Sequence, residues 1–444
     1  MKKILSATCA MMLASAGMMA NAQQLPNVGF EEWEACEGQA DNAGNTYGID
    51  AKTGYRTRPG SEPMGWNGSS VNQSVKVGFF PVNAKQELVF EDGEEAKYAK
   101  LQNVYVGISG AGSTAPGYLT LGTPWVYAEL NVDNCDGGTF GGVEFTSKPD
   151  AIKGQFKRKY TNEENSYIIA YLWNGSFKSK IGKKGSPSET FENVERAILG
   201  KVTPDEGSNG QLVAYREYSF NSTPNNDWQT IEVSLDYVKV DGELVGEPTM
   251  MNVIISAGDY WNRGELKDGT TLLVDDVDFV YYSTLNSLTV CEEAVDLTAA
   301  TFNDEGVAIF PMNSNTFPTA ESISYTAKSQ FATVDVEVLK EQDLVKVTVS
   351  NQGGKDVDGL TQHVYNLQYE EGTSGVESVA GDGVKVYAAA GCVVVEGAEG
   401  VVQVYTADGK QVAAKVVNGK AEIALANGLY IVRVGNKVQK VVVK

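Results

Sequence analysis

Apolar residues in this chain recur at every second position over short runs, and hardly anywhere at the spacing of an amphipathic helix. "ATVDVEVLKEQDLVKVTVSNQ" (332–352) shows the alternation most cleanly. Side chains of a strand point to opposite faces in turn, so this period describes strands with one face in a core. Between the runs stand turn-formers, and the chain holds 47 glycines. Asp408-Gly409, Asn418-Gly419 and Asn427-Gly428 all suit tight hairpins, because both residue types tolerate positive φ. An all-β protein follows. With 444 residues it is too long for one sandwich.

The first 22 residues read as a secretory signal peptide: Lys2 and Lys3, an apolar stretch, then Ala20-Asn21-Ala22 before a cut at Gln23. An exported protein is expected, at the cell surface, extracellular or periplasmic. No later segment offers the apolar run that an integral membrane helix needs. After cleavage 34 basic residues face 57 acidic ones, a formal charge of −23. That surface repels nucleic acid and leaves neutral sugars, divalent cations and cationic partners open. Cys36, Cys135, Cys291 and Cys392 survive cleavage without metal-site spacing. In an oxidising compartment Cys36 and Cys135, both in the first region, are the expected disulfide, with buried free thiols as the alternative. One histidine, His363, is present, which argues against Ser-His-Asp, Cys-His and multi-histidine zinc chemistry.

Three regions follow the signal. Residues 23–283 hold all six tryptophans and strand-like runs such as "SYIIAYLW" (166–173) and "WQTIEVSLDYV" (228–238). Residues 284–371 lack tryptophan, alternate cleanly and have the size of an immunoglobulin-like sandwich. "EEGTSGVES" ends in a linker, 372–378. Residues 379–444, rich in Val, Ala and Gly, are expected to form a small C-terminal β-sandwich.

Two stretches of the first region resemble jelly-roll carbohydrate-binding modules: "LPNVGFEEW" (25–33) as opening strand and "LLVDDVDFVYY" as closing strand. "GGVEFTSKPDAIKGQFKRKY" (141–160), "YIIAYLW", "WQTIEVSLDY" and "NVIISAGDYWNRGELKDGTTLLVDDVDFVYY" (252–282) follow in the order of the PCMD family, carbohydrate metabolism domains of Bacteroidetes surface proteins. The resemblance covers residues 25–282 and implies a jelly-roll β-sandwich with its first and last strands adjacent. The second region is similar to the immunoglobulin-like modules that accompany such domains. The third resembles a type IX secretion, type A sorting domain, in "VYTADGKQV", "GLYIVRV" and "KVVVK". Secretion or surface-attachment machinery is the partner this implies.

Acids are depleted in strands, yet "TTLLVDDVDFVYY" (270–282) carries Asp275, Asp276 and Asp278. Strict alternation puts Asp275 with Leu273, Val277 and Phe279, and Asp276 and Asp278 with Val274 and Val280. A carboxylate among apolar neighbours must be paired, hydrogen-bonded or metal-bound. The jelly-roll resemblance implies a structural calcium held by Glu31, Asp275 and Asp276. The alternative is bonding to backbone amides at a sheet edge without an ion.

For ligand contact, "SAGDYWNRGELKDG" (256–269) supplies Tyr260 and Trp261 as stacking rings and Asp259, Arg263 and Glu265 as partners for hydroxyls. Trp66, in the long loop 54–70, is a further candidate. Each of these aromatics is also a natural core residue. No nucleotide loop, HExxH helix or GxSxG elbow is present. The expectation is a non-catalytic glycan-binding protein with carbohydrate as its partner. A glycoside hydrolase and an adhesive surface protein are the alternatives.

Overall fold

The computed structural model describes residues 22–36, 38–41, 56–77, 79–108, 111–159, 163–312, 317–369, 384–389, 391–407, 409–435 and 437–443. The signal-peptide stretch through residue 21 and the linker 372–378 lie outside them. Strands dominate, and the single α-helix among the described residues is α1, Glu195–Ile198. The protein is all-β, of sandwich architecture. It divides into two compact units. One comprises the chain through Asn286 with Ala327–Val334 and Val349–His363; the other comprises Ser287–Thr326, Asp335–Thr348 and Val364–Lys444.

Two sheets of the first unit position the candidate site. Their strands are β1 (Asn67–Gly68), β2 (Val89–Asp92), β3 (Tyr98–Gln102), β4 (Tyr118–Thr120), β5 (Val143–Glu144) and β6 (Ala151–Lys157). After these come β7 (Ser166–Asn174), β8 (Gln211–Phe220), β9 (Gln229–Ser234), β10 (Asp236–Tyr237), β11 (Met250–Ser256) and β12 (Thr271–Val280). A seven-stranded sheet runs β10-β8-β7-β11-β4-β1, with β5 beside β11. A five-stranded sheet runs β9-β6-β12-β3-β2. Ile168, Ala170 and Leu172 from the first sheet share one buried cluster with Leu272, Val274, Val277 and Phe279 from the second. Each of the Ile, Leu, Val and Phe side chains contributes about 1.5–3 kcal/mol on leaving water.

Strand β12 answers the question of its three aspartates. Asp275 pairs with Gln155 and Asp278 with Lys153, so Asp276 and Val277 together oppose Gly154. This is a β-bulge, and Asp276 takes its left-handed position at φ 49°. The extra residue resets the alternation. Val274, Val277 and Phe279 all reach the core, while Asp275 and Asp278 both stay on the outer side, only partly buried. The expectation that Asp275 shares a face with Val277 and Phe279 is therefore corrected.

The two ends of the first region meet beside this strand. The N–H of Val277 donates to Val28 O at 3.0 Å, and that of Leu25 to Asp278 Oδ1 at 3.2 Å. Residues from later in the chain complete the same unit. Asn351 Nδ2 donates to Tyr281 O at 2.7 Å, and a Cβ on Gly354 would lie 2.1 Å from the Tyr281 ring. Only glycine fits there.

Later in the chain the alternation reads through directly. Within Leu344–Ser350, Val345, Val347 and Val349 are fully buried while their neighbours are half-exposed. A separate cluster, including Val393, Val395, Val402, Val404 and Val432, forms the core of the C-terminal sheet. Asn418-Gly419, expected as a hairpin turn, instead lies inside the long strand Gln411–Ala424. The register slips opposite it, where Gly397 is the extra residue between Glu396 and Ala398; Gly397 and Gly419 both take positive φ at this bulge, which is not a turn.

Candidate functional site

Strand β7 is apolar on both faces, which marks a strand covered on both sides. Its odd-numbered residues, Tyr167, Ile169, Tyr171 and Trp173, point away from the inter-sheet core into a second cluster with Tyr118, Ile254 and Tyr260. Register places this face in rows. Ser219, Tyr167, Ser256 and Tyr118 make one row. Glu217, Ile169, Ile254 and Thr120 make the next, and Tyr215, Tyr171 and Asn252 a third.

One end of this face is sealed by α1. Ala197 and Ile198 pack into the cluster, and Glu195 is fully buried with its carboxyl 3.3 Å from the Tyr260 hydroxyl. Burial pushes Glu195 up, against the pull of Arg196 and Arg263. Nearby, Arg196 makes a two-pronged pair with Asp136 at 2.6 and 2.7 Å.

The other end is open, and there polar and aromatic groups converge on Trp261. Its indole N–H donates to Glu217 Oε2 at 3.0 Å, which also accepts from the Tyr215 hydroxyl at 2.6 Å. The Tyr167 hydroxyl reaches Asp259 Oδ2 at 3.4 Å. Lys201 lies 4.9 Å above the Trp261 ring and 4.0 Å from Glu217. Tyr167, Tyr215, Glu217, Asp259 and Trp261 are all half-buried. Burial, then the charges of Asp259 and Glu217, holds the Tyr167 phenol above its ordinary range.

A single carboxylate, Glu164, fixes the loop that carries Trp261. It accepts from Asn103 Nδ2 at 3.0 Å and from the Asp259 N–H at 3.4 Å at one end of the loop. At the other end it accepts from the Thr270 hydroxyl at 2.7 Å and the Lys267 N–H at 3.3 Å. Asp259 Oδ1 then takes the N–H groups of Trp261 and Asn262, both at 2.9 Å, tightening the turn. Backbone approach is close. A Cβ on Gly258 would lie 2.3 Å from both Asn103 Nδ2 and Glu164 Oε1.

The residues expected from sequence divide accordingly. Asp259 and Trp261 belong to the open cluster. Tyr260 is 1 % exposed and braces Trp261 edge-on at 4.9 Å, so it is a floor residue and not a stacking surface. Arg263 is half-buried, its guanidinium 4.9 Å over the Tyr260 ring with Nε donating to Tyr260 O. Glu265 is exposed, in the short helical turn Arg263–Glu265. Trp66 is 2 % exposed, packed on Phe30 with its indole N–H on Pro26 O; it is a core residue and presents no ring to solvent. Sequence reasoning missed Tyr167, Tyr215, Glu217, Lys201 and Glu164.

Glu31, Asp275 and Asp276 are neighbours. A Cβ on Gly29 would lie 3.6 Å from Asp276 Oδ1, 3.9 Å from Glu31 Cγ and 4.0 Å from Asp275 Oδ1. Burial and the charges of Asp276 and Glu31 push the Asp275 carboxyl up to about 6, while the Asp276 N–H bonded to it pulls the other way. Among the described residues, no three His, Cys, Asp or Glu side chains form a ready metal cage.

The expected Cys36–Cys135 bridge is not formed; both are free thiols. Cys36 is buried beside Glu62 and Arg58, and burial pushes its thiol up to about 12. Cys135 instead lies against Glu129 O at 3.5 Å. His363 bridges Ser283 (Nδ1 to Oγ, 2.9 Å) and Asp358 (Nε2 to Oδ2, 2.7 Å), a serine–histidine–aspartate order. Ser283 is fully buried, however, and also bonded to Asp356, so no substrate reaches it. The three form a structural network.

No protein-family model matches the chain, and no curated protein does. Among solved structures, a candidate glycoside hydrolase from Bacteroides thetaiotaomicron is 15 % identical over 44 % of this chain, with a TM-score of 0.29. The chain spans 57 % of that protein's length. A candidate glycoside hydrolase from Bacteroides vulgatus is 14 % identical over 48 % of this chain and 97 % of that one, TM-score 0.29. A family 11 carbohydrate-binding module from Clostridium thermocellum, solved with a β-1,3-1,4-mixed-linked tetrasaccharide, is 14 % identical over 49 % and 89 %, TM-score 0.19. Likeness this slight carries no functional argument, so function is argued from the site.

Proposed function

We propose that this is an exported, non-catalytic glycan-binding protein whose first unit holds sugar at the open cluster around Trp261. The observation that carries the reading is the convergence of half-buried Tyr167, Tyr215 and Trp261 with Glu217 and Asp259 on one rigid sheet face. A pyranose has an apolar C–H face that suits an indole ring and a rim of hydroxyls that suits carboxylates and phenols. Lys201 shields the Trp261 ring and would move aside for the sugar. The acidic partners favour neutral glycans over uronic acids.

The PCMD-like order of segments, an immunoglobulin-like spacer and a sorting-like tail fit a surface protein that takes part in carbohydrate use. Calcium belongs to this reading as a structural ion. Glu31, Asp275 and Asp276 crowd like charges together, and a divalent cation completed by backbone carbonyls and water would relieve the repulsion.

A glycan array probed with the full chain, with and without calcium, tests the proposal. Retention of neutral glycans that Trp261→Ala removes is the expected result; no retention on any glycan in either condition overturns it. One observation favours a second reading. Glu217 and Asp259 both bond to Trp261, and two nearby carboxylates are the equipment of a glycoside hydrolase. Reducing-sugar release from a retained glycan, lost in Glu217→Gln, would replace binding by hydrolysis.

A further inference from the structure

Trp228 is the most exposed of the six tryptophans, at 36 %. It stands just before β9, and its neighbour Gln229 pairs with Phe156, which brings Trp228 opposite Lys157. Lys157 pairs with Leu273, Leu273 with Lys100, and Lys100 with Phe90. A single row thus crosses four strands on the outer side of the five-stranded sheet and reaches Trp228 at the start of the fifth. The Trp228 ring does not project from the edge of this row. It lies back over the sheet and meets Tyr98 edge-on, with centroids 5.3 Å apart. Among the described residues no acceptor takes its indole N–H. Trp228 belongs to neither of the buried clusters that flank the seven-stranded sheet.

We propose that this outer face is a second glycan-binding platform, where Trp228, braced by Tyr98, stacks on a neutral pyranose ring and Lys100 and Lys157 donate to its hydroxyls. The proposal rests on the glycan-binding reading above but uses different residues. The charges on the face are mixed: Lys157 is paired with Asp227 at 3.3 Å, and Asp275 follows in the next row opposite Gln155. An aromatic flanked by both donors and acceptors suits the hydroxyls of a neutral sugar. Trp261 and Trp228 serve the outer sides of different sheets, with the shared core between those sheets. Two sugar strands can therefore be held at once. The protein bridges glycan chains.

The test uses the full chain, its Trp228→Ala, Trp228→Phe and Trp261→Ala variants, and three neutral polysaccharides as probes: mixed-linked β-glucan, xylan and galactomannan. Affinity electrophoresis reads retention, and light scattering reads the growth of polysaccharide particles. The wild type should be retained by at least one probe and enlarge its particles. Trp228→Ala should abolish the growth and weaken retention roughly tenfold or more through lost avidity, and Trp228→Phe should restore part of both. Equal melting curves exclude a folding defect. If Trp228→Ala matches wild type in both readouts while Trp261→Ala loses retention, the second platform is overturned and the first site stands. If Trp228→Ala loses retention and Trp261→Ala does not, the second platform stands and the first site falls. No retention of the wild type by any probe overturns both.

Discussion

Trp261 is placed by two segments: Glu217 on β8 holds its indole, while Asp259 and Tyr260 of its own loop hold its backbone N–H and its ring edge. A ring fixed in this way loses little freedom when a sugar arrives, which is what makes an aromatic an efficient anchor. Trp261→Ala should cost roughly 2 kcal/mol or more of binding, about thirtyfold in Kd by titration calorimetry. An unchanged Kd would remove the ring from the site. Asp275 supports a different prediction. Its folded pKa lies above its unfolded value of 3.8, near 6. The native state therefore binds the proton more tightly, and stability falls as pH rises from about 4 to about 6, then levels. Asp150, pushed up to about 6 chiefly by burial, acts in the same window. In chelator, Asp275→Asn should raise the melting temperature of the first unit at pH 7.5 by about 2 °C or more and leave it unchanged near pH 4. Added calcium should stabilise the wild type and not the variant. A variant that is destabilised at pH 7.5 in chelator would show that Asp275 is not under repulsion.

At the level of elements, the loop between β11 and β12 depends on Glu164, which bonds groups at both of its ends. Glu164→Ala leaves buried donors unmatched and should cost about 1–3 kcal/mol, read by hydrogen exchange as roughly tenfold faster opening of residues 258–270. Unchanged exchange there would transfer the loop's rigidity to other contacts. This dependence was invisible in the sequence, because Glu164 and the loop are almost a hundred residues apart and only the fold joins them. Where structure follows a period, the sequence was readable: β7 and Leu344–Ser350 form as their patterns require. Where one residue breaks a period, it was not. The bulge at Asp276 and the slip at Gly419 have the composition of an ordinary strand and an ordinary turn. Trp261 and Asp259 stood out as an aromatic and an acid in a glycine-rich loop. Tyr215 and Glu217, on a strand with no such flag, became meaningful only when register set them beside Tyr171 and Ile169.

For the molecule as a whole, neighbouring chain ends in the first region give the sandwich its closure. Val28, Leu25 and Glu31 lie against the bulged end of β12, the proximity the jelly-roll resemblance implied. Residues 25–32 form turns, however, and not the expected opening strand; the first strand among the described residues, Trp33–Ala35, pairs instead with Ser61–Pro63. The free thiols show that this closure is not achieved by Cys36 and Cys135. Among the described residues helix is confined to short turns of three or four residues, so the long-range strand pairing carries the fold. The aromatic surface of the seven-stranded sheet is divided between a lid of α1 and a less buried end around Trp261. The reading of that end as a sugar site can be examined without altering it. In an amide and indole nitrogen–proton spectrum of the full chain, six tryptophan indole signals are expected, that of Trp261 identified by its loss in Trp261→Phe. Titration with a neutral oligosaccharide from the array should move this signal progressively, because the bond from Nε1 to Glu217 lies within the proposed sugar site. A bound oligosaccharide that leaves the Trp261 indole unmoved at saturation would contradict the account.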